Sequence, residues 1–216
     1  MQEVFNLLKA HADPETAVGM AAYQRNQFSF LGIKTPVRRE LTKPIIKAAK
    51  QSGVIDWDFV ETAWEQDARE YQYVALDMLK AQMDLLVPDD LARFQALAMR
   101  KSWWDTVDNM AHEVGHIVVT YPETKATMLA WSQHDDLWVR RLAILHQLFL
   151  KDQTDTAVMT AILTVNFGSS EFFINKAIGW ALRQYSKTNP GWVRDFIALH
   201  EDEMSSLSVR EGSKYV

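Results

Sequence analysis

The stretch Lys101-Ser-Trp-Trp-Asp-Thr-Val-Asp-Asn-Met-Ala-His-Glu-Val-Gly-His116 predicts a helix that carries two chemical patterns. Trp104 and Asp108 stand four positions apart, so an α-helix places the indole ring and the carboxylate on the same face. His112-Glu113-Val114-Gly115-His116 spells H-E-x-x-H, which is typical of zinc proteases. The sequence around this helix must show which of the two patterns carries a function.

This helix belongs to a recurring series of predicted helix pairs. The first helices of the pairs span residues 56–66, 88–100, 122–132, 154–167 and 190–201, and their partners span 68–86, 102–120, 135–151, 170–187 and 205–216. The first four partners share a large aromatic residue near their start, at nearly equal intervals along the chain: Tyr71, Trp104, Trp138 and Phe172. A helix pair that recurs at such an interval is typical of HEAT or armadillo solenoids. The sequence therefore predicts an all-α fold, an α-α superhelix of helix pairs, as a single domain over residues 1–216.

Three further helices are predicted before residue 56. The first spans residues 4–10. Asp13-Pro14 joins a capping residue to a proline at the first helical position, which predicts a second helix from Pro14 to about residue 28. Thr35-Pro36 starts a third, basic helix that continues to about residue 51. Strand alternation and hairpin turns are not evident, which agrees with an all-α chain.

Composition limits the classes of function. Hydrophobic residues make up 48% of the 216 residues, which favours a globular chain, and no apolar run is long enough for a membrane span. The absence of cysteine excludes disulfides and thiolate metal sites. The N-terminal residues lack the pattern of a signal peptide, so we expect a cytoplasmic protein.

The acidic and basic residues are distributed unevenly along the chain, so the net charge alone does not describe its surfaces. A net charge of −5 argues mildly against a nucleic-acid ligand. The partner helices nevertheless carry a set of basic residues, namely Arg140, Arg141, Lys176, Arg183 and Lys187, whereas the first helices hold much of the acid. This asymmetry suggests a basic inner face on a chain whose net charge is acidic.

Several segments together resemble the AlkD-like DNA alkylation repair family, which comprises bacterial DNA glycosylases built from HEAT-like repeats. The resemblance follows the chain in order and with similar spacing. The matching segments are Phe28-Ser-Phe-Leu-Gly-Ile-Lys-Thr-Pro-Val-Arg-Arg39, Lys101-Ser-Trp-Trp-Asp-Thr-Val-Asp108, Trp138-Val-Arg-Arg-Leu-Ala-Ile-Leu145, Glu171-Phe-Phe-Ile-Asn-Lys-Ala-Ile-Gly-Trp-Ala-Leu-Arg183, Lys187-Thr-Asn-Pro190 and Leu207-Ser-Val-Arg-Glu211.

The resemblance implies hydrolysis of the N-glycosidic bond of cationic alkylated purines such as 3-methyladenine and 7-methylguanine, without a metal or organic cofactor. The family's catalytic carboxylate falls on Asp108, its cleft tryptophans on Trp104 and Trp180, and its arginine on Arg141. We expect double-stranded DNA carrying alkylated purines as the partner, no membrane, and a monomeric chain.

Further residues are implied to contact DNA. Tyr23 occupies the place of a family aromatic near the lesion, and Arg183 and Lys187 match basic positions beside the DNA backbone. Lys34 departs from the family, since a well-known relative has Gln at that position. The remaining predicted DNA contacts are Arg38, Arg39, Lys101, Phe172, Phe173 and Lys176.

Two alternatives remain. A solenoid of this class can bind DNA or protein without catalysis, although the presence of all four implied catalytic residues favours the enzyme. The second alternative is a zinc hydrolase that uses His112, Glu113 and His116. Val119 and Pro122 stand where the extended zinc-protease motif needs Gly and His, and Asp135 or Asp136 would have to supply the third ligand.

Overall fold

The computed structural model describes residues 2–216, and these residues form thirteen α-helices. The helices are α1 (Gln2–Ala10), α2 (Pro14–Tyr23), α3 (Thr35–Ser52), α4 (Trp57–Glu65), α5 (Arg69–Ala81), α6 (Asp90–Ala98), α7 (Trp104–Thr120), α8 (Lys125–Trp131), α9 (Leu137–Leu145), α10 (Thr156–Thr164), α11 (Phe172–Tyr185), α12 (Pro190–His200) and α13 (Ser206–Gly212). Over this range the only β geometry is an isolated bridge between Ser29 and Ala68. The predicted all-α fold class is confirmed.

Every predicted helix is present, but several end earlier than the sequence suggested. The second helix was predicted to reach residue 28, and it ends at Tyr23. Arg25 and Asn26, with φ of 56° and 57°, adopt the left-handed conformation that breaks a right-handed helix. The predicted helices 68–86 and 135–151 likewise end at Ala81 and Leu145 and are followed by short 3-10 turns.

The chain divides into two compact units, one ending at Leu86 and the other spanning Val87–Val216. In the first unit, α5 packs against α3 and α4, and α1 packs against α3. Its core contains large side chains that are almost completely buried, such as Leu8, Phe59 and Trp64. The single domain over residues 1–216 stays a prediction.

The second unit repeats one packing step along the chain. α7 packs on α9, α9 on α11 and α11 on α13, whereas α6, α8, α10 and α12 pack alongside these helices. Two glycines permit close approaches between successive helices. A Cβ added at Gly115 would clash with the carbonyl oxygen of His146, and one at Gly179 would lie 2.5 Å from the Cβ of Glu211.

The aromatic residues that define the repeat differ in their surroundings. Tyr71 and Trp138 are buried in the core. Trp104 is half-buried, and Phe172 is 52% exposed. Within residues 2–216, no helix has the length and apolar character needed to cross a membrane.

Candidate functional site

A buried ion pair joins α7 to α9. Asp108 lies one turn into α7, and Arg141 lies one turn into α9. Arg141 donates from Nε to Asp108 Oδ1 at 2.7 Å and from Nη2 to Oδ2 at 2.9 Å. The Arg141 and Asp108 side chains are only 4% and 13% exposed, respectively. Because Arg141 Nη1 also donates to the carbonyl oxygen of Phe173, one guanidinium holds α7, α9 and α11 together.

The Asp108 carboxyl group experiences opposing electrostatic effects. Burial raises its pKa above the ordinary value, and the charge of Asp105 adds to this increase. The hydrogen bonds and the charge of Arg141 lower the pKa, but the net shift is upward. Arg141 uses one lone pair on each carboxylate oxygen, so each oxygen can still accept a hydrogen bond or face a positive charge.

An aromatic cluster lies against this ion pair. The ring centroids of Trp103 and Phe173 are 5.1 Å apart, and Trp138 lies 5.7 Å from Trp103 and 4.9 Å from Phe173. The exposed Phe172 ring is 5.3 Å from Phe173. These apolar rings help to exclude water around the Arg141 guanidinium, which lies 5.8 Å from the Phe173 ring. The sequence did not indicate Trp103, because its neighbours in this cluster belong to later repeats.

The two tryptophans implied by the resemblance are both half-buried. Trp104 is the first residue of α7, and Asp108 follows one helical turn later on the same face. Trp180 lies on α11, two turns beyond Phe173. Since Arg141 binds the first turn of α11, the helix that carries Trp180 is tied to the Asp108–Arg141 pair.

The predicted DNA-contacting residues of the second unit fall into two groups. Lys176 and Arg183 each pair with Glu211, at 3.0 and 2.7 Å. The others are at least partly exposed: Lys101, whose φ is 46°, Phe172, Phe173 and Lys187. Glu211 was not predicted as a functional residue, since Lys176 and Arg183 belong to an earlier helix and their contacts with Glu211 depend on how the helices pack.

The first unit contains the other predicted contacts. Tyr23 ends α2 and is 73% exposed, and Lys34 is exposed immediately before α3. Arg38 is buried and donates to Asp77 at 3.0 Å, so its place in the fold is that of a structural cation. The Arg39 side chain is 58% exposed and lies 3.4 Å from the same carboxylate.

Glu70 fixes the loop that leads to Lys34. Its buried carboxylate accepts hydrogen bonds from the backbone N–H groups of Leu31, Gly32 and Ile33, at 2.9, 2.9 and 3.1 Å. Three such donors hold a loop in one conformation and satisfy the buried charge. This residue was also missed, because its partners lie two helices earlier in the chain.

The H-E-x-x-H segment lacks the surroundings of a zinc site. Glu113 is buried at 1% exposure, and the His112 ring packs 5.6 Å from Phe149. Asp136, one candidate for a third ligand, caps α9 by accepting hydrogen bonds from its first backbone N–H groups. Throughout the described chain, no three His, Cys, Asp or Glu side chains are grouped so that they could hold a metal ion.

Helix pairs in series, with a buried Asp–Arg pair bridging adjacent repeats, define a helical-repeat protein of the HEAT-like class. Residues 4–216 match the family model described as DNA alkylation repair enzyme, and the chain belongs to this family. A solved structure described as a predicted DNA alkylation repair enzyme from Enterococcus faecalis is 36% identical to it. That structure superposes with a TM-score of 0.86 over 95% of this chain and 96% of the other. No curated protein gives a significant match.

Proposed function

We propose that this member of the DNA alkylation repair family is a DNA N-glycosylase. The proposed reaction is hydrolysis of the N-glycosidic bond of cationic alkylated purines, such as 3-methyladenine and 7-methylguanine, in base excision repair. The observation that carries the proposal is the buried Asp108 carboxylate, held by Arg141 on the helix face that it shares with Trp104.

The chemistry of the substrate sets what the protein must supply. When the bond between C1′ and the purine nitrogen breaks, its electron pair neutralises the cationic ring, so the base leaves without a general acid. The deoxyribose then carries positive charge, as in other glycosyl transfers. Water attacks C1′, loses a proton, and leaves an abasic sugar together with the neutral alkylated base. The protein must therefore stabilise a cation and position a water molecule.

Asp108 suits both tasks. Its ionised carboxylate attracts the developing charge on the sugar, and a fixed charge in a site of low dielectric acts more strongly than one in water. The same group accepts the proton of the attacking water as a general base. Arg141 keeps the carboxylate in one orientation, so little reorganisation is needed when the sugar becomes positive.

The tryptophans add a second source of attraction for a cation. The face of an indole ring carries negative electrostatic potential, and the face of Trp104 or Trp180 against the deoxyribose would favour the charged state. In this proposal the predicted DNA-binding residues that keep exposed surface contact DNA. They are Lys101, Phe172, Phe173, Lys176, Arg183 and Lys187 in the second unit and Tyr23, Lys34 and Arg39 in the first. The proposed chemistry needs no metal ion.

The decisive measurement is release of 3-methyladenine and 7-methylguanine from methylated duplex DNA. We expect the wild-type protein to release them in the presence of EDTA. Asp108→Asn should lower the rate by about 100-fold or more, because the fixed negative charge is lost. Asp155→Asn is a matched control. Asp155 accepts a hydrogen bond from Lys125 at 2.8 Å and has no contact with Asp108 among those described. It caps α10, a role that Asn also performs.

Absence of base release by folded wild-type protein would overturn the enzyme proposal and favour a DNA-binding repeat protein without catalysis. Release that EDTA abolishes would instead indicate a metal-dependent hydrolase. Equal rates for wild type and Asp108→Asn would remove Asp108 from the mechanism.

A further inference from the structure

Glu211 on α13 gathers three cations around one carboxylate. Its Oε2 accepts a hydrogen bond from Arg183 Nη1 at 2.7 Å, and Lys176 Nζ lies 3.0 Å from Oε1. Lys214 Nζ donates to both oxygens at 3.0 Å. The Glu211 side chain is 7% exposed, so these contacts form where α13 packs on α11.

The charges in this cluster do not balance. Lys214, followed by Lys176, lowers the pKa of Glu211 to about 2, so the carboxylate is ionised at neutral pH. Three cations and one carboxylate leave an excess of two positive charges. Lys176, Arg183 and Lys214 keep 37%, 24% and 44% of their side-chain surface exposed. A buried carboxylate needs one partner to be compensated, and the excess charge at a surface attracts an anion.

The position of the cluster relates it to the proposed site. Lys176, Trp180 and Arg183 follow the i, i+4, i+7 spacing, so they lie along one stripe of α11. Gly179, on the adjacent stripe, permits the close approach of α13 that brings Glu211 to this stripe. The two α11 cations bound to Glu211 therefore bracket Trp180, one turn before it and one turn after it.

We propose that Lys176, Arg183 and Lys214 form a binding site for a backbone phosphate of duplex DNA, and that Glu211 is the positioning residue of this site. Lysine and arginine side chains are the usual protein partners of phosphate oxygens. Each of these three is long and flexible, and a shared carboxylate holds them together before DNA binds, which reduces the entropy lost on binding. The assignment of DNA as the ligand rests on the proposed function.

The first test compares two lysines that are paired in similar ways. Lys125 Nζ lies 2.8 Å from a carboxylate oxygen with its side chain 38% exposed, and the values for Lys214 are 3.0 Å and 44%. Affinity of Lys214→Gln and Lys125→Gln for undamaged duplex DNA is measured by fluorescence anisotropy over a range of NaCl concentrations. We expect Lys214→Gln to weaken binding several-fold and to reduce the slope of log K against log[NaCl] by about 1, the value for one lost phosphate contact. Lys125→Gln should leave both quantities unchanged, and equal behaviour of the two variants would overturn the proposal.

The second test uses the sign of the effect of Glu211→Gln. This variant adds one positive charge to the protein, so a carboxylate that only repels DNA would predict tighter binding. If Glu211 positions the cations, we expect binding of the folded variant to weaken several-fold despite the added charge. Tighter binding would overturn the positioning role, and a variant that does not fold leaves Lys214→Gln as the deciding measurement.

A final arm separates DNA phosphate from free phosphate. If the ligand is a free anion, inorganic phosphate would then raise the melting temperature of the wild type but not of Lys214→Gln, while the wild type and the variant bind DNA equally. That result would show that the site binds a free anion and that the DNA assignment is wrong. All three measurements use undamaged DNA or no DNA at all. Failure of the glycosylase proposal therefore appears as absent base release with these results intact, and failure of the phosphate site appears as the reverse.

Discussion

Two carboxylates in the second unit illustrate two ways in which a helical repeat can hold a buried negative charge. Asp108 pairs with Arg141, which engages both of its oxygens. Glu211 shares its oxygens among Lys176, Arg183 and Lys214. Burial raises the pKa of the first carboxyl group, whereas the surrounding lysines lower the pKa of the second to about 2.

This difference separates the two roles that we propose. The Asp108–Arg141 pair is neutral as a whole and lies beside an aromatic cluster. In our proposal its carboxylate attracts the positive charge that develops on the sugar. The Glu211 cluster carries excess positive charge, and its cations remain partly exposed. The first arrangement stabilises a developing cation, and the second binds an anion, although each contains a carboxylate that pairs with a cation on a neighbouring helix.

The largest expected effect is the loss of stability in Arg141→Gln. This change leaves the buried Asp108 carboxylate without the cation that compensates it, and breaking a buried pair in this way costs about 3–5 kcal/mol. Arg183→Gln is the matched control. Glu211 keeps Lys176 and Lys214, so we expect a loss of about 1 kcal/mol for a partly exposed pair. Urea unfolding of both variants at pH 7 measures the difference, and equal losses would contradict the contrast between the two sites.

The next effect is the acid sensitivity that Glu211 confers on the fold. Its pKa is about 2 in the folded protein and near the ordinary 4.5 in the unfolded chain. The lowered value stabilises the fold above pH 4.5, and this contribution disappears as the pH falls from 4.5 towards 2. We expect the difference in unfolding free energy between wild type and Glu211→Gln to be constant near neutrality and to shrink over that acid range. A difference independent of pH would show that the stabilisation does not come from the charge of Glu211.

The smallest expected effect is a shift in the acid limb of base release. The proposed reaction needs ionised Asp108, so the rate should fall as protonation removes the carboxylate. Because the pKa of Asp108 lies above its ordinary value of 3.8, the fall should begin at a higher pH than for a typical aspartate. The rate is measured from neutral pH downwards, with enzyme-free DNA as the control for spontaneous depurination. If the rate falls only below the pH at which an ordinary aspartate is protonated, then burial does not outweigh the effect of Arg141 on the pKa of Asp108.

Local sequence patterns predict much of the fold. Asp13-Pro14 and Thr35-Pro36 start α2 and α3 where the sequence predicts, because capping and the fixed φ of proline act within a few residues. The sequence predicts the ends of helices less accurately than their starts. Arg25 and Asn26 take left-handed backbone angles after α2, and neither residue type requires that conformation.

The sequence by itself determined the repeat, the helix face shared by Trp104 and Asp108, and the family pattern, because each depends on spacing along the chain. Only the tertiary structure decided that Asp108 is bound on both oxygens by Arg141 and that Glu211 gathers the cations beside Trp180. These contacts join residues that lie far apart in the sequence and on different helices. Their pairing depends on how helices stack from one repeat to the next, and glycine at 179 lets α13 approach closely enough to bring Glu211 to α11.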